Sequence, residues 1–205
     1  MAVLSNHAMQ KLRGREALQL DPSRQVAIKR AVHELVISAA ADDFAAALRV
    51  VLRDPHVELG AIDLKRAASR LGDDFVVGER FHGCVRLARL GRPLLAALGR
   101  TRLGAWLEDE LLSDYAEVVA AEPRRVVYRY LSGTPMAGTS TLLITPLSST
   151  TSRFRVVFEY QEQSGVAILA LHHFGLRMHD RATAIQAERA AELIGARVLH
   201  STVPR

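Results

Sequence analysis

The stretch "YRYLSGTPMAGTSTLLI", residues 128–144, places a segment rich in glycine, proline and hydroxyl side chains between two apolar runs. Such a segment is either a phosphate-cradling loop or the turn of a β-hairpin. A phosphate loop of the G-x-x-x-x-G-K-[ST] type requires a lysine after its second glycine. Gly133 and Gly138 have that separation, but Thr139 stands where the lysine belongs. The flanks read as strands, so no helix supplies N-terminal amides to an anion. The stretch is therefore a hairpin connection, with Pro135 restricting Thr134 and the glycines free to take unusual backbone angles. This reading makes two neighbouring antiparallel strands and puts Tyr128 and Tyr130 on one face.

The same period of two extends in both directions. "RRVVYRYL" sets Val126, Tyr128 and Tyr130 against Val127, Arg129 and Leu131. In "SRFRVVFEYQEQ", Phe154, Val156, Phe158 and Tyr160 share a face that Arg155 and Glu159 do not. Upstream, "FVVGERFHGCVRLARL" puts Phe81, Val85 and Leu87 opposite Arg80, His82 and Arg86. Alternation of this kind fits an antiparallel sheet packed on one side. Ahead of it, "VHELVISA" (32–39) reads as a first strand. "AADDFAAALRVVL" then carries Phe44, Leu48, Val51 and Leu52 at helical spacing, with Asp42 and Asp43 in the first turn. "ELGAIDLKRAASRLG" reads as a second short helix closed by Gly72. After Ser164 the period lengthens: Leu171, Phe174, Met178, Ala182 and Ile185 mark one long C-terminal helix over 165–195, with Gly195 as its cap. The expected organisation is an arm or short helix over 1–31, one α+β domain over 32–198, and a tail over 199–205.

Composition narrows the function classes. Hydrophobic residues make up 49% of the chain but aromatics only 5%, so aliphatic side chains and alanine must fill the core. The net charge of +5 invites a nucleic-acid reading. Its distribution argues against one: residues 80–102 hold six arginines and no acid, and residues 108–117 hold five acids and no base. A surface alternating in sign is a poor continuous track for phosphates. No run reaches the roughly 20 apolar residues of a membrane span, and the first residues lack the apolar region of a signal peptide, which gives a cytoplasmic expectation. Cys84 is the single cysteine, so no intrachain disulfide or cysteine-based metal site forms.

The succession "VHELVISAAADDFAAAL", the meander "VVYRYLSGTP…TSTLLITPL…RFRVVFEYQEQ" and the final helix resemble the START-like, Bet v 1-like (SRPBCC) helix-grip superfamily, and the hairpin region is similar to a bacterial branch of it. The resemblance spans about residues 32–197. It implies a curved antiparallel sheet wrapped around a long C-terminal helix, with two short helices after the first strand. It also implies a cavity under the helix for a hydrophobic or amphipathic, lipid- or polyketide-like molecule.

Candidate ligand-contacting side chains are the aromatic rows Tyr128, Tyr130, Phe158 and Tyr160, together with Phe81, Tyr115 and His173. A phenol on an inner face that finds no protein partner is free to meet a ligand's polar group. In "HHFGLRMHD", His172 and His179 stand seven apart, roughly 10 Å on a helix and too far for a shared metal. His173, Arg177 and Asp180 fit a hydrogen-bond ladder. Glu117 reads as an outward acid and "LEDE" as a solvated approach to a strand. No catalytic set, metal site or cofactor motif stands out. A binding protein is the expectation. The alternatives are a cyclase or aromatase on the same fold, and a membrane- or partner-contacting module over residues 89–106, where leucines, arginines and Trp106 alternate.

Overall fold

The structure, a computed structural model, describes residues 15–21, 23, 27–53, 56–67, 76–110, 112–134, 136–162 and 176–202. The expected contact His173 and the start of the C-terminal helix lie outside these residues. Nine strands form one sheet in the order β2-β3-β4-β5-β6-β7-β8-β1-β9, every neighbouring pair antiparallel. They are β1 (Lys29–Ile37), β2 (His56–Leu59), β3 (Ile62–Ala67), β4 (Arg80–Val85), β5 (Ser113–Glu122), β6 (Arg125–Tyr130), β7 (Met136–Pro146), β8 (Ser152–Glu162) and β9 (Val198–Ser201). The helices are α1 (Ala41–Arg53), α2 (Pro93–Leu98), α3 (Arg102–Glu110) and α4 (Leu176–Leu193). The α+β class and the wrapped sheet follow the sequence expectation.

The alternation seen in the sequence sorts the two faces. Leu35, Ile37, Ile144, Phe154, Val156 and Phe158 are buried on the inner face against α1 and α4. α1 buries Phe44 and Leu48, one helical turn apart, and Phe44 meets Phe154 with ring centroids 5.6 Å apart. Its first turn is tied down by Asp42, which accepts both guanidinium bonds of Arg124 at 2.6 Å. α4 buries Ala187, Ala190 and Ala191, and these small side chains let it lie close to the alanines of α1.

Two sequence expectations are corrected. The second short helix is instead the hairpin β2–β3, with Leu59 paired to Ile62 across a two-residue turn. Gly60 takes φ +67° at the first turn position, which selects glycine there. Leu59 and Ile62 are three apart, so they satisfy helical spacing as well as strand alternation, and local pattern does not separate the two. The second correction concerns "LEDE": it lies in α3, and Glu108 is buried, 6% exposed. Its carboxylate accepts from Arg86 at 2.8 Å and from the Leu87 amide at 2.8 Å. Arg86 also donates to buried Asp63 at 2.6 Å, as does Arg89. Burial pushes the Asp63 carboxyl upward, but these two arginines outweigh it and hold it below its ordinary value.

At the ends of the sheet, residues 199–201 pair beside β1 as part of β9. In the arm, Ala17 bridges Leu131, and the Asp21 amide and carbonyl both bond the side chain of Gln161. The hairpin read from residues 128–144 is present: β6 ends at Tyr130, β7 starts at Met136, and Gly133 lies between them at φ +84°.

Gly138 sits inside β7, opposite Tyr160, at φ +129°. A β-carbon there would fall 2.0 Å from the Glu159 carbonyl oxygen. Gly138→Ala is therefore expected to destabilise the protein by at least about 2 kcal/mol, combining backbone strain with a main-chain clash. Chemical denaturation of the two proteins measures it.

Candidate functional site

Between the inner face of the sheet and α4 lies a cavity of about 130 Å³. Its walls are mostly apolar, with Leu64, Phe81, Tyr128, Leu142, Val156 and Phe158 among the lining residues. Antiparallel pairing brings these side chains together. Phe81 on β4 stands opposite Ala116 on β5, and Ala116 opposite Tyr130 on β6. Tyr128 meets Phe81 edge to face at 5.5 Å.

Polar groups break this surface, among them Asp114 from β5, Tyr130 from β6 and His179 from α4. Asp114 shares its face with Ala116, and its direct partner across the sheet is Gly83, which has no side chain to cover it. Burial is the one influence acting on the Asp114 carboxyl and raises it from 3.8 to about 6. Burial also pushes the Tyr130 phenol well up, helped by the nearby Asp114 and Tyr160. The His179 imidazole is pushed down to about 4, by burial first and by His33 second. At neutral pH the cavity thus holds an ionised Asp114, a neutral phenol and a neutral imidazole. None of these three side chains makes a hydrogen bond to a described residue.

His33 supports this wall from β1. Its Nδ1 lies 2.6 Å from Asp180, and its ring meets Phe158 at 5.4 Å. His179 meets the same phenyl ring at 4.5 Å, 62° between planes. Desolvation of His33 outweighs the pull of Asp180 and lowers its pKa. Asp180 therefore ties α4 to the first strand; His173 and the Arg177 side chain, the other members of the ladder expected from spacing, lie outside what the structure describes.

Of the side chains singled out from sequence, Tyr128, Tyr130, Phe81 and Phe158 line the cavity. Tyr160 is buried on the same face, two residues beyond Phe158. Tyr115 is on the opposite face, stacked on His82 at 4.7 Å and covered by the Arg15 guanidinium 3.5 Å from its ring centre. Glu117 shares that outer face and pairs with Arg80 at 3.3 Å. Sequence reasoning passed over Asp114 and weighed His179 only as half of a histidine pair too widely spaced for a metal. The signal for His179 was present: His179, Thr183 and Gln186 recur at four-plus-three spacing as a polar stripe, and all three line the cavity. Among the described residues no group of three acidic, histidine or cysteine side chains is placed to hold a metal ion. Over residues 89–106, α2 and the start of α3 leave Leu94 86%, Leu103 58% and Trp106 52% exposed. No described helix is long and apolar enough to cross a membrane.

A carboxyl whose folded-state pKa lies above its ordinary value costs stability as pH rises from about 4 through about 6. Asp114→Asn removes that cost. It is expected to stabilise the protein by about 1–3 kcal/mol at pH 7, with the gain shrinking toward zero at pH 4. Urea denaturation at the two pH values checks both the sign and the window.

No protein-family model matches this chain, and no curated protein matches it by sequence. Solved structures do. The Zhui aromatase/cyclase from Streptomyces sp. R1128 superposes with a TM-score of 0.53 at 12% identity, covering 82% of this chain and 96% of that one. Norcoclaurine synthase from Thalictrum flavum superposes with a TM-score of 0.53 at 13% identity, covering 87% and 98%. The same enzyme in complex with dopamine and hydroxybenzaldehyde gives 0.52 at 14% identity, covering 87% and 96%. At these identities the likeness carries the fold alone, and on it the strand order, the wrapped α4 and the sequence pattern agree: this chain has a helix-grip fold.

Proposed function

We propose that the protein binds a small, largely apolar molecule in the cavity between sheet and α4. The observation that carries this reading is the trio Asp114, Tyr130 and His179, polar groups that face an apolar cavity without a hydrogen-bond partner among the described residues. Buried polar groups are ordinarily paired. Tyr130 is buried, and Asp114 and His179 are half-buried with their polar atoms open to the cavity; a ligand that supplies the missing partners accounts for this placement. The volume sets the size of the occupant. A cavity of about 150 Å³ holds a single benzene ring, so 130 Å³ suits a molecule of about one ring, not a lipid chain. The same trio could serve acid–base chemistry, but cyclisation of a polyketide-like chain needs far more room than this cavity offers, and binding is the reading the geometry supports best.

Gly83 gives a direct test. A β-carbon at this position would meet the Asp114 β-carbon at 3.7 Å, an ordinary contact, and Gly83 does not need a left-handed backbone. Gly83→Leu is expected to fill the cavity while leaving the sheet intact. Calorimetry with benzyl alcohol should show saturable 1:1 binding to the wild type and at least about tenfold weaker binding to the variant, or about 1.4 kcal/mol. Unchanged affinity would place the site elsewhere.

A second reading concerns the exposed Leu94, Leu103 and Trp106, which stand beside exposed Arg100 and Arg102. Leucine and tryptophan with neighbouring arginines suit the boundary of an anionic bilayer. Flotation with phosphatidylserine-containing vesicles tests it: the wild type should float, and the Leu94→Glu/Trp106→Glu double variant should stay in the soluble fraction. Equal behaviour of the two proteins counts against this contact.

A further inference from the structure

The chemistry of the cavity defines its ligand more closely than size does. Among its lining residues the ionisable side chains are Asp114, Tyr128, Tyr130 and His179. None of them is a cation at neutral pH, because burial holds the His179 imidazole neutral down to about pH 4. Among the described residues, the other elements that face Asp114 contribute no opposing charge. β4 presents Gly83 and Phe81, β3 presents Ile62 and Leu64, and β7 presents Ser140 and Leu142. Elsewhere in the molecule acids on the sheet are answered by arginines: Asp63 by Arg86 and Arg89, Glu117 by Arg80, Glu34 by Arg153 and Arg155. Asp114 lines the cavity, and no arginine among the described residues is paired with it.

An isolated carboxylate on a mostly apolar cavity wall is an expensive way to leave a charge. A neutral hydroxyl ligand would hydrogen-bond to it without cancelling its charge, and an anion would be repelled. An ammonium group both donates the hydrogen bond and neutralises the site. The walls add to this preference, since Phe81, Tyr128, Tyr130 and Phe158 place aromatic rings around the same space, and aromatic faces attract cations. We infer that the cavity is a site for a small organic amine in its cationic form, with the ammonium on Asp114 and the apolar part among the aromatic rings. This inference rests on the binding reading given above and narrows it to one chemical class.

The experiment compares three probes of one size and different charge: benzylamine, benzyl alcohol and benzoate. Affinities are measured by calorimetry at pH 7.5 and pH 4.5, for the wild type and Asp114→Asn. At pH 7.5 the wild type should bind benzylamine at least about tenfold more tightly than benzyl alcohol, and benzoate most weakly. At pH 4.5 benzylamine is still a cation but Asp114 is protonated, so the preference should fall toward unity. Asp114→Asn should show no preference for benzylamine over benzyl alcohol at either pH, and saturable binding of toluene, which makes no polar contact, establishes that its cavity is intact. If wild type binds benzyl alcohol as tightly as benzylamine at pH 7.5, the amine inference is overturned and the cavity reading stands. A preference for benzylamine that survives Asp114→Asn also overturns it. If no probe binds the wild type, both readings fall together.

Discussion

The height at which α4 rides over the sheet governs the molecule. Alanines at 187, 190 and 191 bring the C-terminal half of this helix against α1 and the sheet, where Phe44, Phe154 and Leu35 fill the space completely. Toward its N-terminal half the helix presents His179, Thr183 and Gln186 to the sheet. Side chains on β4, β5 and β6 do not close the gap there: Gly83 has none, and that of Ala116 is a single methyl. One end of the interface is thus a close-packed core and the other a cavity, although both use the same helix and the same sheet.

Charge is organised by the same two-sidedness. The arginine-rich segment and the acid-rich segment that follows it looked like two opposed surface patches. On the outer face they are partners: Arg80 reaches Glu117, and Arg86 reaches Glu108. Charge that suggested a polyanion in the linear sequence is spent in part on joining β4 to its neighbours. Asp114 belongs to the same acidic run but points to the other face of β5, and the alternation of one strand turns it from a surface acid into a cavity carboxylate.

The sheet was legible because side-chain alternation is a local signal: Phe154, Val156, Phe158 and Tyr160 declare their face within one strand. The hairpin of residues 56–67 was not, because Leu59 and Ile62 satisfy two periods at once. Tyr128, Tyr130, Phe81 and Phe158 were found as inward aromatics for the same local reason. Asp114 was missed because its character comes from what surrounds it. Its isolation depends on Gly83 across the sheet and on the absence, among the described residues lining the cavity, of an arginine; "LSDYAEVV" shows neither. Tyr115, one residue on, was misplaced by reading an aromatic as inward, when the arm supplies it with a second small core through Leu131 and Ala17.

Gly83 separates two things that proteins usually entangle. Many strand glycines are held by the main chain, as Gly138 is, and tolerate no replacement. At Gly83 the backbone makes no such demand, and the position contributes only the room above Asp114. Alanine, valine or leucine at this one site would step the cavity down in volume without redrawing the sheet. A lineage carrying this fold could therefore retune what it admits by single substitutions on a rigid strand, with selectivity drifting while stability stays where it is.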